Sequence, residues 1–411
     1  MDLPTPKRTA HWQNLLPVLA FAIPWAKRGL PTLIGFTVVF AIAHALRVRR
    51  FTRPSNLVAI LCLGAIFLLL LIGLTFSTHP DEGLNEIGIK LSFLIFPLLA
   101  FFLPGIDKKQ SSQIQSAFLY GCLLFILITL PRAIYFTIHN NDIYYLNYYQ
   151  LSWYMHPTYA AVYMSLALFT LVELRLRREF IFTSRVFHSI CIAIITVFIA
   201  LLSSKAGYLS ALLVPLLSIV RAYQLGYSVI KSMATAGLSI VLFLVVIYIV
   251  PVSSVRVQEA VSSIQLDEST PETSSLEASD SHNSSTQVRL ATWHAALHVW
   301  MNNPFGSGTG DTQSKLNTVY LQRNERYAAE RHYNAHNEFL QIAAELGWLG
   351  LAALIGCMIS IARLWSQDFN SLVFVAICAL NFLFESFLEV QAGIVFFSFW
   401  VLVYSKRTAN E

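Results

Sequence analysis

The sequence predicts an all-α integral membrane protein with about twelve transmembrane helices. Its 411 residues are 55% hydrophobic and only 12% charged, about half the charge density of a soluble domain. Apolar runs of about 18 residues or more, long enough to cross a bilayer, recur from end to end. These runs lack the two-residue alternation of barrel strands. A helical bundle remains, because lipid offers no hydrogen bonds to unpaired backbone groups.

The predicted spans follow one another along the whole chain. The first is interrupted by Pro17 and Pro24, and the seventh and eighth are separated only by the polar corner Ser203-Ser204-Lys205. We place the spans at 13–26, 30–46, 56–76, 84–104, 112–138, 157–175, 186–202, 205–221, 230–250, 336–362, 368–385 and 390–405.

Lysine and arginine in the short connections predict the orientation. With about twelve spans, the basic set falls on one side at every turn, which the positive-inside rule assigns to the cytoplasm. The opposite side has Lys27 and Arg28 and then very little basic charge in its short connections. The chain is therefore expected to be a multi-pass inner-membrane protein with both termini cytoplasmic and its chemistry on the opposite, periplasmic face. The net charge of +5 reflects this placement and is not a signal for nucleic acid. The basic set comprises Lys7, Arg8, Arg47, Arg49, Arg50, Arg53, Lys108, Lys109, Arg175, Arg177, Arg178, Arg185, Arg221, Lys231, Arg363, Lys406 and Arg407.

Two longer connections are expected on the outer face. Residues 139–156 are rich in aromatic and amide side chains. Residues 251–335 form a long loop domain between spans 9 and 10, which divides the membrane bundle into residues 1–250 and 336–411. The loop's centre, from Leu266 to Gln287, is polar and is expected to be mobile. Apolar residues at helical spacing on either side of that centre predict a partly folded domain.

Basic residues expected on the outer face predict an anionic ligand, and a lipid-linked phosphate is the anion most available at a membrane surface. Arginine binds phosphate through paired donors and lysine binds it as a point charge. The alternative for each is that it reaches out to lipid headgroups. Lys205, in a tight corner, and Arg289, before an apolar helix, favour ligand binding. The candidate positions are Lys90, Arg132, Lys205 and Arg289 near the bundle and Arg323, Arg326 and Arg331 in the loop.

His336 is the candidate general base. Near neutral pH a histidine accepts a proton from a hydroxyl, and a position at the mouth of a membrane helix would expose it to substrates. A structural histidine is the alternative. A zinc site built from histidines near residues 294–336 is disfavoured because no HExxH pattern occurs. Gly306-Ser307-Gly308-Thr309-Gly310 lacks the lysine of a nucleotide-binding loop, and the five cysteines lie inside apolar runs.

Four acidic residues are candidates for supporting the site. Glu338 and Glu345 lie seven residues apart, on roughly one helix face. They either line a polar cleft and orient His336 or lock neighbouring helices together. Glu385 and Glu389 lie in the last outer loop and are candidates for supporting the same site.

Several of these segments are informative when they are taken as a set. The run from His336-Asn337-Glu338-Phe339-Leu340 to Glu345-Leu346-Gly347-Trp348-Leu349-Gly350 follows the long outer loop. That loop contains Arg289-Leu290-Ala291-Thr292-Trp293 and Asn303-Pro304-Phe305-Gly306-Ser307-Gly308. Together they resemble the O-antigen ligase and O-antigen polymerase superfamily. A single dominant loop before His336 favours the ligase branch.

The resemblance implies a metal-independent GT-C-type glycosyltransferase that takes a glycan from undecaprenyl pyrophosphate. In the ligase branch the acceptor is a sugar hydroxyl of lipid A–core. The resemblance implies that His336 deprotonates or orients that hydroxyl and that Arg289 binds the pyrophosphate. Members commonly carry arginine where this chain has Lys205. The lysine keeps the positive charge but cannot form the paired hydrogen bonds of a guanidinium. Positioned cations and a base suffice for this chemistry without a cofactor, and in-line displacement would invert the anomeric carbon.

Three alternatives remain at this point. A polymerase uses the same donor with a second lipid-linked repeat as acceptor, and a protein O-oligosaccharyltransferase uses a protein hydroxyl. A transporter of a lipid-linked anion would need paired broken helices in two repeated halves. The sequence lacks such a pair, which disfavours transport.

Overall fold

A computed structural model describes residues 15–48, 51–179, 184–249 and 285–408. These ranges are almost entirely helical, and their only extended pairing is an isolated bridge between Ile106 and Arg407. The predicted all-α membrane fold is confirmed.

The helices before residue 250 account for nine of the predicted spans. One span is divided into two helices, α4 and α5, and the short α7 lies in the aromatic segment 139–156. In chain order they are α1 (Leu15–Ala22), α2 (Leu30–Val48), α3 (Leu57–Thr75), α4 (Pro80–Lys90), α5 (Ser92–Phe102), α6 (Lys108–Asn140), α7 (Tyr148–Ser152), α8 (Pro157–Leu176), α9 (Arg185–Leu201), α10 (Lys205–Gln224) and α11 (Val229–Ile249).

The helices after residue 284 complete the chain. Three precede His336 and three are the remaining predicted spans. They are α12 (Ser285–Asn302), α13 (Thr312–Gln322), α14 (Arg326–Glu330), α15 (Glu338–Ala362), α16 (Phe369–Phe382) and α17 (Gln391–Ser405).

Each predicted span therefore contains a helix, but the helices differ in length. Among the described residues, 8 helical segments are long and apolar enough to cross a membrane. The apolar helices α9, α16 and α17 are shorter, and α1 has only 8 residues. The number of spans stays a prediction.

A cluster of buried rings joins the centre of the bundle. Phe118 on α6 contacts Tyr163 on α8 and Trp400 on α17, with ring centroids 6.1 and 5.4 Å apart. Phe396 stacks on Tyr163 at 4.7 Å and lies 5.8 Å from Phe374 on α16. Large aromatic pairs of this kind stabilise a core beyond their area alone, so α6, α8, α16 and α17 form a fixed frame for the connections between the helices.

Helix α15 is kinked at Gly347, whose φ of +67° lies in the left-handed region. The turn from Asn303 to Gly308 packs directly into the kink. The N–H of Ser307 donates to Ala344 O at 2.9 Å and the N–H of Trp348 donates to Pro304 O at 3.0 Å. Backbone groups freed by the break in the helix are thus satisfied by the glycine-rich turn.

Helices α12, α13 and α14 share a small apolar core of their own. It includes Ala295, Ala296, Leu316 and Tyr320, and it meets α15 at Ala344. The domain boundaries drawn from the sequence, including the side of the membrane on which these helices lie, remain a prediction. The expected mobile centre runs from Leu266 to Gln287. Its residues up to 284 lie outside the described residues, and α12 begins at Ser285.

Candidate functional site

His336 lies in the connection between α14 and α15, one residue before the N-cap of α15. The cap is Asn337, whose side chain accepts a hydrogen bond from the N–H of Leu340 at 3.0 Å. The backbone of His336 is left-handed, with φ +46°, and its N–H donates to Asn334 Oδ1 at 3.1 Å. Non-glycine residues seldom adopt this conformation, and such positions cluster at functional sites. The imidazole is 24% exposed, so it is accessible while its backbone is fixed.

Glu385 is the acidic partner of His336. It follows the end of α16, where its N–H donates to Asn381 O at 2.9 Å. One carboxylate oxygen lies 3.6 Å from His336 Nδ1. Burial raises the pKa of Glu385, but the neighbouring His336 and the charges of His156 and Arg289 outweigh burial, and the net pKa is lowered. A carboxylate held ionised beside Nδ1 favours a proton on that nitrogen and leaves Nε2 for a substrate.

Arg289 approaches the same place from α12. Its Nε donates to Phe384 O, the carbonyl just before Glu385, at 3.3 Å. Burial lowers the pKa of Arg289, while the charges of Glu385 and Tyr148 oppose that shift. An arginine stays protonated under such a shift, so the guanidinium is a fixed positive charge beside the imidazole.

Lys205 is brought to the site by the first turn of α10. Ser204 caps this helix by accepting from the N–H of Gly207 at 3.2 Å, and its hydroxyl lies 3.0 Å from that of Thr158 on α8. Ser203 has a left-handed φ of +49°. The polar corner seen in the sequence is therefore a sharp turn with a helix cap, which fixes the position of the Lys205 backbone.

These side chains line one cavity of about 320 Å³, within the usual range of small-molecule sites. Two cations, two imidazoles and a carboxylate converge there. This set is able to hold an anionic leaving group and to take a proton from a hydroxyl. The lining comprises Tyr148, Tyr149, His156, Thr158, Ser204, Lys205, Ala206, Val288, Arg289, Tyr327, Tyr333, His336 and Glu385.

The aromatic part of this lining was not predicted as part of the site. Tyr148 and Tyr149 belong to the segment 139–156, whose aromatic content was noted without a role. Tyr327 lies on α14 and Tyr333 follows that helix. The ring of Tyr333 lies 5.2 Å from that of His336. The available signal was the tyrosine-rich composition of a polar connection next to a membrane helix.

The comparisons with known proteins bear on this cavity. A family model described as O-antigen ligase matches residues 190–355. No curated protein matches the chain. The chain carries an O-antigen ligase domain. This match supports the superfamily expected from the sequence, and with it a membrane enzyme that transfers glycans in O-antigen and lipopolysaccharide pathways.

The O-antigen ligase domain supplies three of the four ionisable groups discussed above. Lys205, Arg289 and His336 lie within residues 190–355, whereas Glu385 lies after them. The first three lie far apart in the chain, so their convergence is a property of the fold and not of a local motif.

Lys90 was predicted to bind substrate, and the structure places it elsewhere. Its ammonium is 3% exposed and lies 2.7 Å from Glu86, 2.7 Å from Glu345 and 2.8 Å from Glu389. It does not line the cavity that holds His336. The reason is its partners: three carboxylates from three elements compensate its charge inside the protein, as burial requires.

Glu338 and Glu345 each contact a neighbouring element. Glu345 pairs with Lys90 on α4. Glu338 is fully buried and accepts a hydrogen bond from the N–H of Leu388 at 2.7 Å. The turn Phe387–Glu389, which follows Glu385, is thus held at both Leu388 and Glu389. Glu338 and Glu345 are therefore linked to His336 indirectly, through this turn and the preceding Glu385.

Arg132 and the loop arginines lie outside the cavity. Arg132 donates to Gln150 O at 3.1 Å and lies over the ring of Trp153 at 4.6 Å, so it anchors the aromatic segment 139–156. Arg331 lies 3.9 Å from the ring of Tyr327. These contacts satisfy the guanidinium through carbonyl and ring faces, and Arg323 and Arg326 are likewise absent from the lining.

One group of described residues has metal-ligand spacing, namely Glu86, Glu345 and Glu389. The ammonium of Lys90 already lies between these carboxylates. Burial raises the pKa of Glu389, and Lys90 opposes that shift. The ammonium of Lys90 supplies a positive charge to all three carboxylates, so the cluster fits a buried ion-pair network and not a metal centre.

A larger cavity, of about 490 Å³, lies at the other end of the bundle between α8, α9, α10 and α11. Its lining is mainly apolar, and Arg175 is its only ionisable group besides Tyr227. Volume alone would select this cavity, but it offers no base. The chemistry of the lining selects the smaller one.

Proposed function

We propose that the protein transfers a glycan from undecaprenyl pyrophosphate to a sugar hydroxyl of lipid A–core, on the periplasmic face of the bacterial inner membrane. The observation that carries this proposal is the single cavity that His336, Arg289, Lys205 and Glu385 line together. A GT-C-type enzyme of this kind needs no metal if protein cations hold the leaving group.

The proposed reaction follows from these groups. Arg289 and Lys205 bind the pyrophosphate and neutralise the charge that grows on it as its bond to the anomeric carbon breaks. His336 takes the proton of the acceptor hydroxyl while that oxygen bonds to the same carbon. Glu385 stabilises the protonated ring. Attack opposite the leaving group inverts the anomeric centre, and undecaprenyl pyrophosphate departs with the bonding electron pair.

The topology drawn from the sequence belongs to the same proposal. With the termini cytoplasmic, the mouth of α15 and the domain 251–335 face the periplasm. The donor headgroup then reaches the cavity from the outer leaflet while its isoprenoid chain stays in the bilayer.

A deletion strain complemented with His336→Ala tests the proposal. We expect lipopolysaccharide without long-chain bands and accumulation of lipid-linked polymer, whereas complementation with the unaltered chain restores the bands. Loss of the polymer itself would instead indicate a polymerase, the second candidate. Full complementation by His336→Ala would remove the proposed base.

A further inference from the structure

A second cavity, of about 240 Å³, lies against the first. The two share His156 and Glu385 as lining residues. Glu385 therefore lies between two separate spaces, one of which also contains His336. A transferase that joins two substrates needs this arrangement, because the attacking and leaving oxygens occupy opposite sides of the reacting carbon.

The second cavity differs from the first in chemistry. Its polar groups are mostly neutral and come from Asn334, Ser386 and Gln391, and its apolar surface includes Ile23 and Met155. A sugar matches such a mixed lining, since it presents hydroxyls at its edges and C–H groups on its faces. The pyrophosphate belongs in the first cavity, where two cations line the wall.

Ser386 provides a specific sign of a ligand. Its side chain is 1% exposed, and its hydroxyl has no hydrogen-bond partner among the described residues. Leaving a buried hydroxyl unpaired is costly. Its place in the wall of the cavity, next to Glu385, gives it a partner when a hydroxylated ligand is bound.

Lys27 adds one charge to this cavity. The side chain is exposed, donates to Tyr154 O at 3.5 Å, and forms no ion pair with any described residue. It comes from the connection between α1 and α2, and Arg289 does not line this cavity. Its ammonium is therefore available to an anionic group on whatever occupies the cavity.

We propose that this second cavity receives the acceptor, a sugar that carries a phosphate or carboxylate, and that Lys27 binds that anionic group. The proposal rests on the proposed function. The acceptor hydroxyl then reaches the His336–Glu385 pair from one side while the donor pyrophosphate lies on Arg289 and Lys205 on the other. The hydroxyl proton passes to His336, the new carbon–oxygen bond forms, and the bond to the pyrophosphate breaks.

Kinetics of the purified full chain in lipid nanodiscs test this assignment. The probes are a lipid-pyrophosphate glycan as donor and lipid A–core as acceptor, either phosphorylated or treated with phosphatase. For Lys27→Gln we expect the KM of the phosphorylated acceptor to rise on the order of tenfold, the loss of one charge-assisted hydrogen bond. The KM of the donor stays unchanged. With the dephosphorylated acceptor, Lys27→Gln and the unaltered chain have the same KM.

Two further variants keep the result interpretable. Lys231→Gln alters an exposed lysine on α11 and is expected to change neither KM. Ser386→Ala is expected to fold with unaltered or higher stability, because it removes an unpaired buried hydroxyl, and to raise the acceptor KM severalfold.

The outcomes separate the two proposals. An acceptor KM unaffected by both Lys27→Gln and Ser386→Ala, with transfer still dependent on His336, overturns the acceptor site alone. A raised donor KM in Lys27→Gln also overturns it. Transfer that does not depend on His336 overturns the proposed function instead.

Discussion

His336 combines an accessible ring with a backbone that has little freedom. Its left-handed φ of +46° and the contact between its N–H and Asn334 set the direction from which the imidazole enters the cavity. The indole N–H of Trp293 donates to His336 O at 3.4 Å, so α12 also holds this residue. Preorganisation of this kind lowers the cost of bringing a base to its substrate.

Glu385→Gln tests whether the carboxylate acts through His336. We expect kcat to fall about tenfold or more, because the protonated imidazole loses its ionised partner while the KM of the donor changes little. Since the pKa of Glu385 is lowered from its ordinary value, the carboxylate is ionised throughout the neutral range. The charge that Glu385→Gln removes is therefore present in the unaltered chain throughout the neutral range, and it is lost only as the pH falls through that lowered pKa.

The measurement is the pH dependence of transfer for both proteins. Glu82→Gln, which neutralises an exposed acid on α4, serves as the control and leaves the profile unaltered. An unchanged kcat for Glu385→Gln at neutral pH would show that the 3.6 Å approach to His336 has no catalytic role.

The sequence predicted the ionisable core of the site better than its walls. Lys205, Arg289 and His336 stand out because charged or titratable groups are rare beside apolar helices. Lys90 met the same criterion, but it lies in a buried ion-pair network outside that cavity. Glu86 lies four residues before it, on the same helix face, and this spacing was the available signal for an ion pair. Its other two partners come from distant segments that no local pattern connects.

At the scale of elements, the kink in α15 and the glycine-rich turn depend on each other. A Cβ added at Gly347 would lie 2.4 Å from both Phe305 C and Pro304 O, which are backbone atoms. Its φ of +67° is also unfavourable for other residues. The segments Asn303–Gly308 and Gly347-Trp348 were noted together in the sequence, and the fold shows the backbone contacts that join them.

Gly347→Ala is accordingly expected to destabilise the protein by roughly 2 kcal/mol or more, through both backbone strain and overpacking. A lower melting temperature in detergent and a smaller folded yield would show this. Gly237→Ala is the control, because Gly237 is also helical and an added Cβ there meets nothing within 4 Å. Equal melting temperatures for both variants would contradict the proposed interlock.

At the scale of the whole molecule, the buried network around Lys90 connects the membrane bundle to the site. It joins α4, α15 and the turn Phe387–Glu389, which follows directly on Glu385. The sequence predicted helix positions because apolar runs have a clear length. It did not predict this network, since the pairing of helices is set by side chains remote in the sequence.

Lys90→Met separates a structural from a substrate-binding role. Removing the ammonium leaves three carboxylates without their cation, and breaking buried ion pairs in this way costs roughly 3–5 kcal/mol. We expect a sharp loss of folded protein, measured by size-exclusion chromatography and thermal melting. Lys231→Met, at an exposed position, has no such effect. A Lys90→Met protein with normal stability and a raised donor KM would restore the substrate-binding role.

The most direct test of the central claim is the transfer rate of purified His336→Ala with saturating donor and acceptor. Because a general base contributes a rate factor of about a hundredfold or more, we expect kcat to fall by at least that factor. The melting temperature and the donor KM are expected to stay close to those of the unaltered chain. A rate within a few-fold of the unaltered protein would contradict the claim that the imidazole takes the acceptor's proton.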